Sequence, residues 1–211
     1  MARLIVSENI SLDWVVEDPT GEDGTQRGGW FERAIGDDRA AWAAAEYQEA
    51  QDASALLLGR RSDEYFGSRW NTQPGDWAER LRQLPKYVVS STIDEPVWQN
   101  STVLGDDVVE EVRELKTHID GDIVVYASRP LVQTLLEHDL VDEVRLMVFP
   151  VVLGSGRRLF DGLTEEKPVR LRASRAIGAG IVQLVYDVQP PAGAMAAAAA
   201  DASAASPGQG R

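Results

Sequence analysis

Three stretches of this chain bring together residue types that hold an anion. In SALLLGRRSDEYF (54–66) an apolar run stops at Gly59 and is followed by Arg60, Arg61 and Ser62. A glycine lets backbone approach a ligand closely, and a helix start offers free N–H groups and the positive end of its dipole. Arginine adds charge and can grip a phosphate through two parallel hydrogen bonds. In KYVVSST (86–92) an apolar run ends in Ser90 and Ser91, hydroxyls suited to a phosphate or ribose. In VVYASRPL (124–131) Ser128 and Arg129 stand before Pro130, a residue favoured in the first turn of a helix. Each stretch also reads as plain structure: a strand–turn–helix with solvated arginines, or a hydroxyl capping a turn. The G-x-G-x-x-G fingerprint of dinucleotide-binding folds does not occur.

The rest of the composition bounds what such stretches could serve. With 34 Asp and Glu against 21 Lys and Arg, the formal net charge is −13. No basic face is available to displace counterions from nucleic acid, so no nucleic-acid partner is expected. An anionic ligand must then be held locally, by arginines and backbone amides. There is no cysteine, which excludes disulfides, thiolate catalysis and zinc-thiolate sites, and His118 and His138 are too few for a multi-histidine metal centre. No metal is expected. The N-terminal MARLIVSENI has too short an apolar run for a signal peptide, and no run approaches the ~20 apolar residues of a membrane span. A cytoplasmic protein without a membrane partner is the default expectation.

The 211 residues suit one domain with a tail. RLIVSENISLDWVV opens as a strand, and the glycine-rich EDPTGEDGTQRGGWF reads as a long loop. DDRAAWAAAEYQEAQDA has helical spacing, SALLLG a strand buried on both faces, and SDEYFGSRW a helix with Ser62 or Asp63 near its cap. KYVVSST and STVLGD give further strands and DVVEEVRELKTH an amphipathic helix. GDIVVYASRPLVQTLLEHD reads as strand, turn and helix, with His138 at the helix end. VDEVRLMVFP is a strand, and VRLRASRAIGAGIVQLVYDV an antiparallel hairpin around a glycine turn. Alternating strands and helices predict an α/β fold with a mostly parallel sheet between helices, closed by the hairpin. Residues 1–189 form that domain. Residues 190–211 are alanine-rich, cannot build a core, and are expected to be a disordered tail.

In order and spacing, SENISLDW, LLLGRRSDEYF, KYVVSST, GDIVVYASRPLVQTLLEHDLVDEVRLMVFPVVLGSGRRLF and the closing hairpin resemble the dihydrofolate-reductase-like reductases. The similarity is greatest to the C-terminal reductase domain of the bifunctional riboflavin-biosynthesis enzyme RibD and its stand-alone relatives. It covers nearly everything except the tail. The resemblance implies a three-layer α/β/α fold and a homodimer. It also implies a reductase passing hydride from NADPH to a small substrate, heterocyclic or sugar-phosphate-like, as in 5-amino-6-(5-phosphoribosylamino)uracil reductases. It places Gly59, Arg60, Arg61 and Ser62 at the cofactor phosphates and Ser90 and Ser91 on the adenosine side. Ala127, Ser128 and Arg129 fall against the pyrophosphate and Asn9 near the nicotinamide.

This sequence departs from the family's pattern twice. Ala127 stands where relatives usually have glycine, and Trp14 completes a Leu-Asp-Gly position as Leu12-Asp13-Trp14. Hydride reduction also needs a proton. Asp13 and Glu8 are candidates by their place near the first strand, and Glu46 because the following helix carries the acid in dihydrofolate reductases. Trp14, Trp30 and Trp70 are candidate pocket walls, and Gly154 and Gly156 could shape the substrate cleft. A non-catalytic nucleotide- or flavin-binding module on the same fold is the alternative, because fold does not fix function.

Overall fold

In the computed structural model, which describes residues 1–190, eight strands form one sheet. The strands are β1 (Arg3–Ser11), β2 (Ala53–Gly59), β3 (Lys86–Val89), β4 (Ser101–Leu104), β5 (Asp122–Tyr126), β6 (Glu143–Phe149), β7 (Val169–Ile177) and β8 (Ile181–Val188). The helices are α1 (Trp30–Ile35), α2 (Arg39–Asp52), α3 (Arg60–Trp70), α4 (Asp76–Gln83), α5 (Val108–His118) and α6 (Arg129–Glu137). The sheet order is β4-β3-β2-β5-β1-β6-β8-β7. The first six strands run parallel, and β8 and β7 add the antiparallel hairpin. This is the three-layer, mostly parallel architecture expected from the alternation of elements.

The parallel strands are apolar along their whole length because both faces are covered. Leu4 and Val6 of β1, Leu57 of β2 and Ile123 of β5 pack with Leu115, Val132 and Leu135 of α5 and α6. The alternate residues Ile5, Leu56, Leu58 and Val124 meet Ala50, Leu81 and Trp98 on the opposite face. A third cluster joins Trp30, Phe31 and Ile35 of α1 to Met147 and Phe149 of β6. No described helix is long and apolar enough to cross a membrane.

Four local expectations are corrected. Helices α1 and α4 lie where the sequence reading had a loop or no element. Each follows a glycine with positive φ, Gly29 and Gly75, which reads as loop in sequence. Ser62 and Asp63 do not cap α3: that helix starts at Arg60 on the backbone of Gly59, and both residues are buried in its first turn. The strand ending in FP stops at Phe149, before Pro150. The proposed tail, apart from Pro190, lies outside the described residues.

Asp63 has a different task. Its fully buried carboxylate accepts the N–H groups of Val97 (2.7 Å) and Trp98 (3.0 Å) and straps this segment across α3. Gly67, one turn later, lets the strap lie close: a Cβ there would stand 2.7 Å from the Trp98 nitrogen. Lys86 closes the same corner, donating to the carbonyls of Leu84 and Gln99 beneath the Trp98 ring. Charge-assisted hydrogen bonds to a buried carboxylate are worth ~1.5–3 kcal/mol each, so Asp63→Ala should cost roughly 2–4 kcal/mol in urea unfolding. Gly67→Ala should also destabilise, although alanine alone would favour a helix by ~1 kcal/mol. A neutral result for both would show that the strap does not hold the fold.

Candidate active site

The strand pairings open the site. β1 pairs with β5 only as far as Ser7 opposite Tyr126, while its pairing with β6 continues to Ser11 opposite Phe149. Beyond Ser7 the centre of the sheet is parted. This is the carboxyl end of the parallel strands, where open α/β sheets bind ligands. A cleft of about 840 Å³ occupies the parting, and a second hollow of about 370 Å³ adjoins it. Arg61, Ser62, Ser128 and Pro130 border both.

Ser128 joins the two halves. Its Oγ accepts the Gly59 N–H at 2.9 Å and lies 2.8 Å from Ser62 Oγ and 3.1 Å from the Tyr126 carbonyl. The junction from β2 to α3 is thereby tied to that from β5 to α6. Neither α3 nor α6 has a side-chain cap at its N-terminus, whereas Asp107 caps α5 through Val109 and Glu110. The free N–H groups of two helices therefore meet at one place, and they favour negative charge. Gly59 has φ −84°, which any residue adopts, and a Cβ there would sit in ordinary contact 3.6 Å from Ser128 Oγ. Packing alone does not require this glycine. The β5–α6 turn is strained instead, with Ala127 at φ 51° and Ser128 at φ 62°, and no described peptide bond is cis. The family's glycine has a physical reason at this position, because φ > 0 costs a residue with a Cβ.

Arg60 and Arg61 border the smaller hollow. Arg60 is half-exposed and makes an ion pair with Glu64 one turn on (2.8 Å), a contact worth only ~0.3–0.5 kcal/mol. Arg61 has no ion pair among the described residues. Arg129 borders the large cleft, but its guanidinium donates to the carbonyls of Arg158 (2.6 Å) and Asp161 (2.9 Å), which makes it a brace. Ser90 and Ser91 follow Val89, which lines the smaller hollow, without lining it themselves. Ser90 Oγ accepts the Thr92 N–H at 3.2 Å, a capped turn. Asn9 lines the cleft, its Oδ1 fixed by the Trp42 indole N–H at 2.9 Å.

Of the three candidate acids, the structure brings two together. Glu8 and Glu46 both line the cleft and are 8% and 7% exposed. Burial pushes the Glu8 carboxyl up to about 8. Burial, and then the charges of Glu49 and Glu8, hold Glu46 well above the usual carboxylate range. The buried Tyr126 phenol is likewise raised, by burial and then by Glu49 and Glu46. Glu49, one turn along α2, is instead paired with Arg145 at 2.9 Å. Asp13 is the exception. Burial acts to raise it, but hydrogen bonds from Leu153, Ser11 and Gly154 outweigh this and lower it. It lies outside the cleft lining and pins a turn.

The expected substrate residues are also redistributed. Trp30 is fully buried, donates to the Glu17 carbonyl and packs on Phe149, so it is core. Trp14 has φ 70° and lies against Phe160, away from the cleft. Gly154 serves Asp13, and Gly156, at φ 125°, leaves room for Val15. Of the tryptophans expected to line it, Trp70 does so. The wall that sequence reading missed is aromatic: Phe31, Trp42, Phe66, Trp77 and Trp98. Side-chain type could not have separated these residues from the core.

The fold and the parted sheet are of the dihydrofolate-reductase-like class. The chain aligns with a Shewanella sp. PV-4 protein provisionally assigned to riboflavin biosynthesis, with TM-score 0.69 and 20% identity over 90% of this chain and all of that one. Enterococcus faecalis dihydrofolate reductase, complexed with NADP(H), aligns at TM-score 0.55 and 13% identity over 89% of this chain and 97% of that one. These likenesses define the fold. The model of the RibD C-terminal domain matches residues 2–183, and the chain belongs to that family. Bacillus subtilis (strain 168) YyaP, itself uncharacterised, is 34% identical over 137 residues, 62% of this chain and 72% of that protein.

The buried Glu8 carboxyl gives a pH signature. Its ordinary value is 4.5 and burial raises it to about 8. The stability this contributes is complete below the unfolded value, declines between the two, and is gone above about 8. The decline approaches ~1.4 kcal/mol per pH unit where only the folded state holds the proton. Glu8→Gln removes this dependence, so its melting temperature should gain on wild type steadily as pH rises from about 5 to about 8.5. Parallel melting curves across that range would show that Glu8 ionises normally.

Proposed function

We propose that this protein is a cytoplasmic, NADPH-dependent reductase that transfers hydride to a small heterocyclic or sugar-phosphate-like substrate, in the manner of 5-amino-6-(5-phosphoribosylamino)uracil reductases. One observation carries the reading. A single groove has two uncapped helix N-termini and two arginines at one end, and two buried, protonatable carboxyls at the other. The first end suits a pyrophosphate and the second a proton transfer. Membership of the RibD C-terminal family supports the same reading.

When bound, NADPH supplies the hydride. Gly59 and the N-termini of α3 and α6 would hold its pyrophosphate, with Ser62 and Ser128 keeping that cradle closed. Arg60, with Ser90 and Ser91 nearby on the adenosine side, would hold the 2′-phosphate. Asn9 would bound the nicotinamide end. Glu8 and Glu46 keep a proton available near neutral pH because burial disfavours their charged forms. Ala127, where relatives have glycine, favours a second reading, a nucleotide- or flavin-binding module without turnover. Cofactor oxidation with candidate substrates separates the two.

Arg60→Ala should weaken NADPH roughly ten- to a hundredfold and leave NADH little changed, because a charge-assisted contact is worth ~1.5–3 kcal/mol. Titration by tryptophan fluorescence measures both. Equal losses would assign Arg60 to the pyrophosphate, and no binding of either cofactor at ~1 mM would end the reductase reading.

A homodimer belongs to the proposal. The edge strand β7 exposes eight of its nine residues, Val169 and Leu171 among them, and an open edge needs cover. Sedimentation at micromolar concentration should show a dimer, and a clean monomer would refute it.

A further inference from the structure

The substrate end of the cleft has a chemistry of its own. One wall is a run of touching aromatic rings. Phe31 meets Trp42 edge-on at 5.0 Å, Trp42 meets Trp77 at 5.8 Å, and Trp77 meets Trp70 at 4.8 Å. Phe66 and Trp98, 5.6 Å apart, extend the lining. Rings in such number stack on flat ligands and gain little from a flexible polar chain.

The charges of the cleft point the same way. Seven carboxylates line it against five arginines, and lysine is absent from the lining. Three of the arginines are already matched to carboxylates of the same cleft: Arg39 to Glu32, Arg69 to Glu22 and Arg157 to Glu17. Arg129 is spent on two carbonyls. Arg61 alone has no partner among the described residues, and it stands where the cleft meets the smaller hollow. A phosphate that drew one of the matched arginines away would be left facing that arginine's carboxylate, a like-charge contact that repels.

The polar groups that lack partners suit a heteroaromatic edge. The indole N–H of Trp98, a residue 2% exposed, has no hydrogen-bond partner among the described residues, and an unmet buried donor is costly. Glu8 and Glu46 face no cation within the cleft. A ring that offers an acceptor to the indole and a donor to a carboxyl satisfies both.

We infer that the substrate end takes a planar, phosphate-free heteroaromatic compound of two or more fused rings, and excludes sugar phosphates. This rests on the proposed reductase reading for its chemistry, but not for its binding. It narrows that reading, in which a sugar-phosphate-like substrate was equally open.

The test uses riboflavin and its 5′-phosphate, FMN, which differ by one phosphate. Full-length protein is first saturated with NADP⁺, so that the cradle between α3 and α6 is filled. Equilibrium dialysis, read by flavin absorbance, then measures each ligand, with ribose 5-phosphate as competitor. Riboflavin should bind near ~0.1 mM or tighter, FMN should bind no better, and ribose 5-phosphate should displace neither. Trp98→Phe keeps the ring and removes the N–H. It should weaken riboflavin by up to about tenfold with NADP⁺ affinity unchanged, as expected for one hydrogen bond. FMN binding ten times tighter than riboflavin, displacement by ribose 5-phosphate, or no flavin binding at ~0.1 mM would each overturn the inference. Failure of the reductase reading shows separately, as absence of NADPH binding in protein that still takes riboflavin.

Discussion

Beyond Ser7, β1 keeps a hydrogen-bonded neighbour on one side only. That asymmetry organises the molecule. A sheet parted at its edge would merely fray, but this one is parted at its centre with helices packed on both faces. The gap therefore becomes a walled cleft. Its walls come from elements that the sheet was already holding. α2 returns over the parting and lays Glu46 into it, while α3 and α6 start at the ends of strands that flank it. Residues that lie 38 apart in sequence, Glu8 and Glu46, become neighbours because β1 and α2 share this one gap.

The turn at Ala127 and Ser128 shows what such a site costs. Two successive left-handed residues carry ~1–3 kcal/mol of strain each when neither is glycine. The surroundings over-determine the conformation: Ser128 Oγ is held by three groups, and Arg129 is clamped to two carbonyls. Trp14 repeats the device. Its φ of 70° is fixed by the Ser11 carbonyl accepting its N–H, and by Asp13 pinning the turn to Leu153 and Gly154. Asp13 is thus fully employed, and its ionised form is the one being stabilised. That is the physical reason why the acid closest to the family's motif is unsuited to giving a proton.

The parallel strands are legible in sequence because burial on both faces makes them continuous apolar runs, as in LIV, ALLL and IVV. α1 and α4 are not, because six and eight residues are too few for a helical period to declare itself beside glycine. The anion-holding end of the site is also legible. It is built from contiguous residues at strand ends, where Gly59-Arg60-Arg61-Ser62 and Ser128 keep their meaning without tertiary context. The substrate end is different. Trp30 and Trp77 are the same residue type in similar surroundings, yet one fills the core and the other lines the cleft. That choice is made by how α1, α2 and α4 dock, and local sequence does not record it.

Helix α2 makes the last distinction, between a structural carboxylate and a reactive one. Glu46 and Glu49 lie one turn apart on the same buried face. An isolated charge in such a place is unfavourable, so each must either find a cation or keep its proton. Glu49 finds Arg145 on β6, which is itself held by Glu143 at 2.6 Å, and the network fixes it as an anion. Glu46 sits over the parting, where no strand side chain supplies a cation, and beside Glu8, whose charge would only repel it. The same gap that admits a ligand therefore withholds the counter-charge, and the carboxyl there stays protonated. Opening the sheet and poising the acid are one structural event.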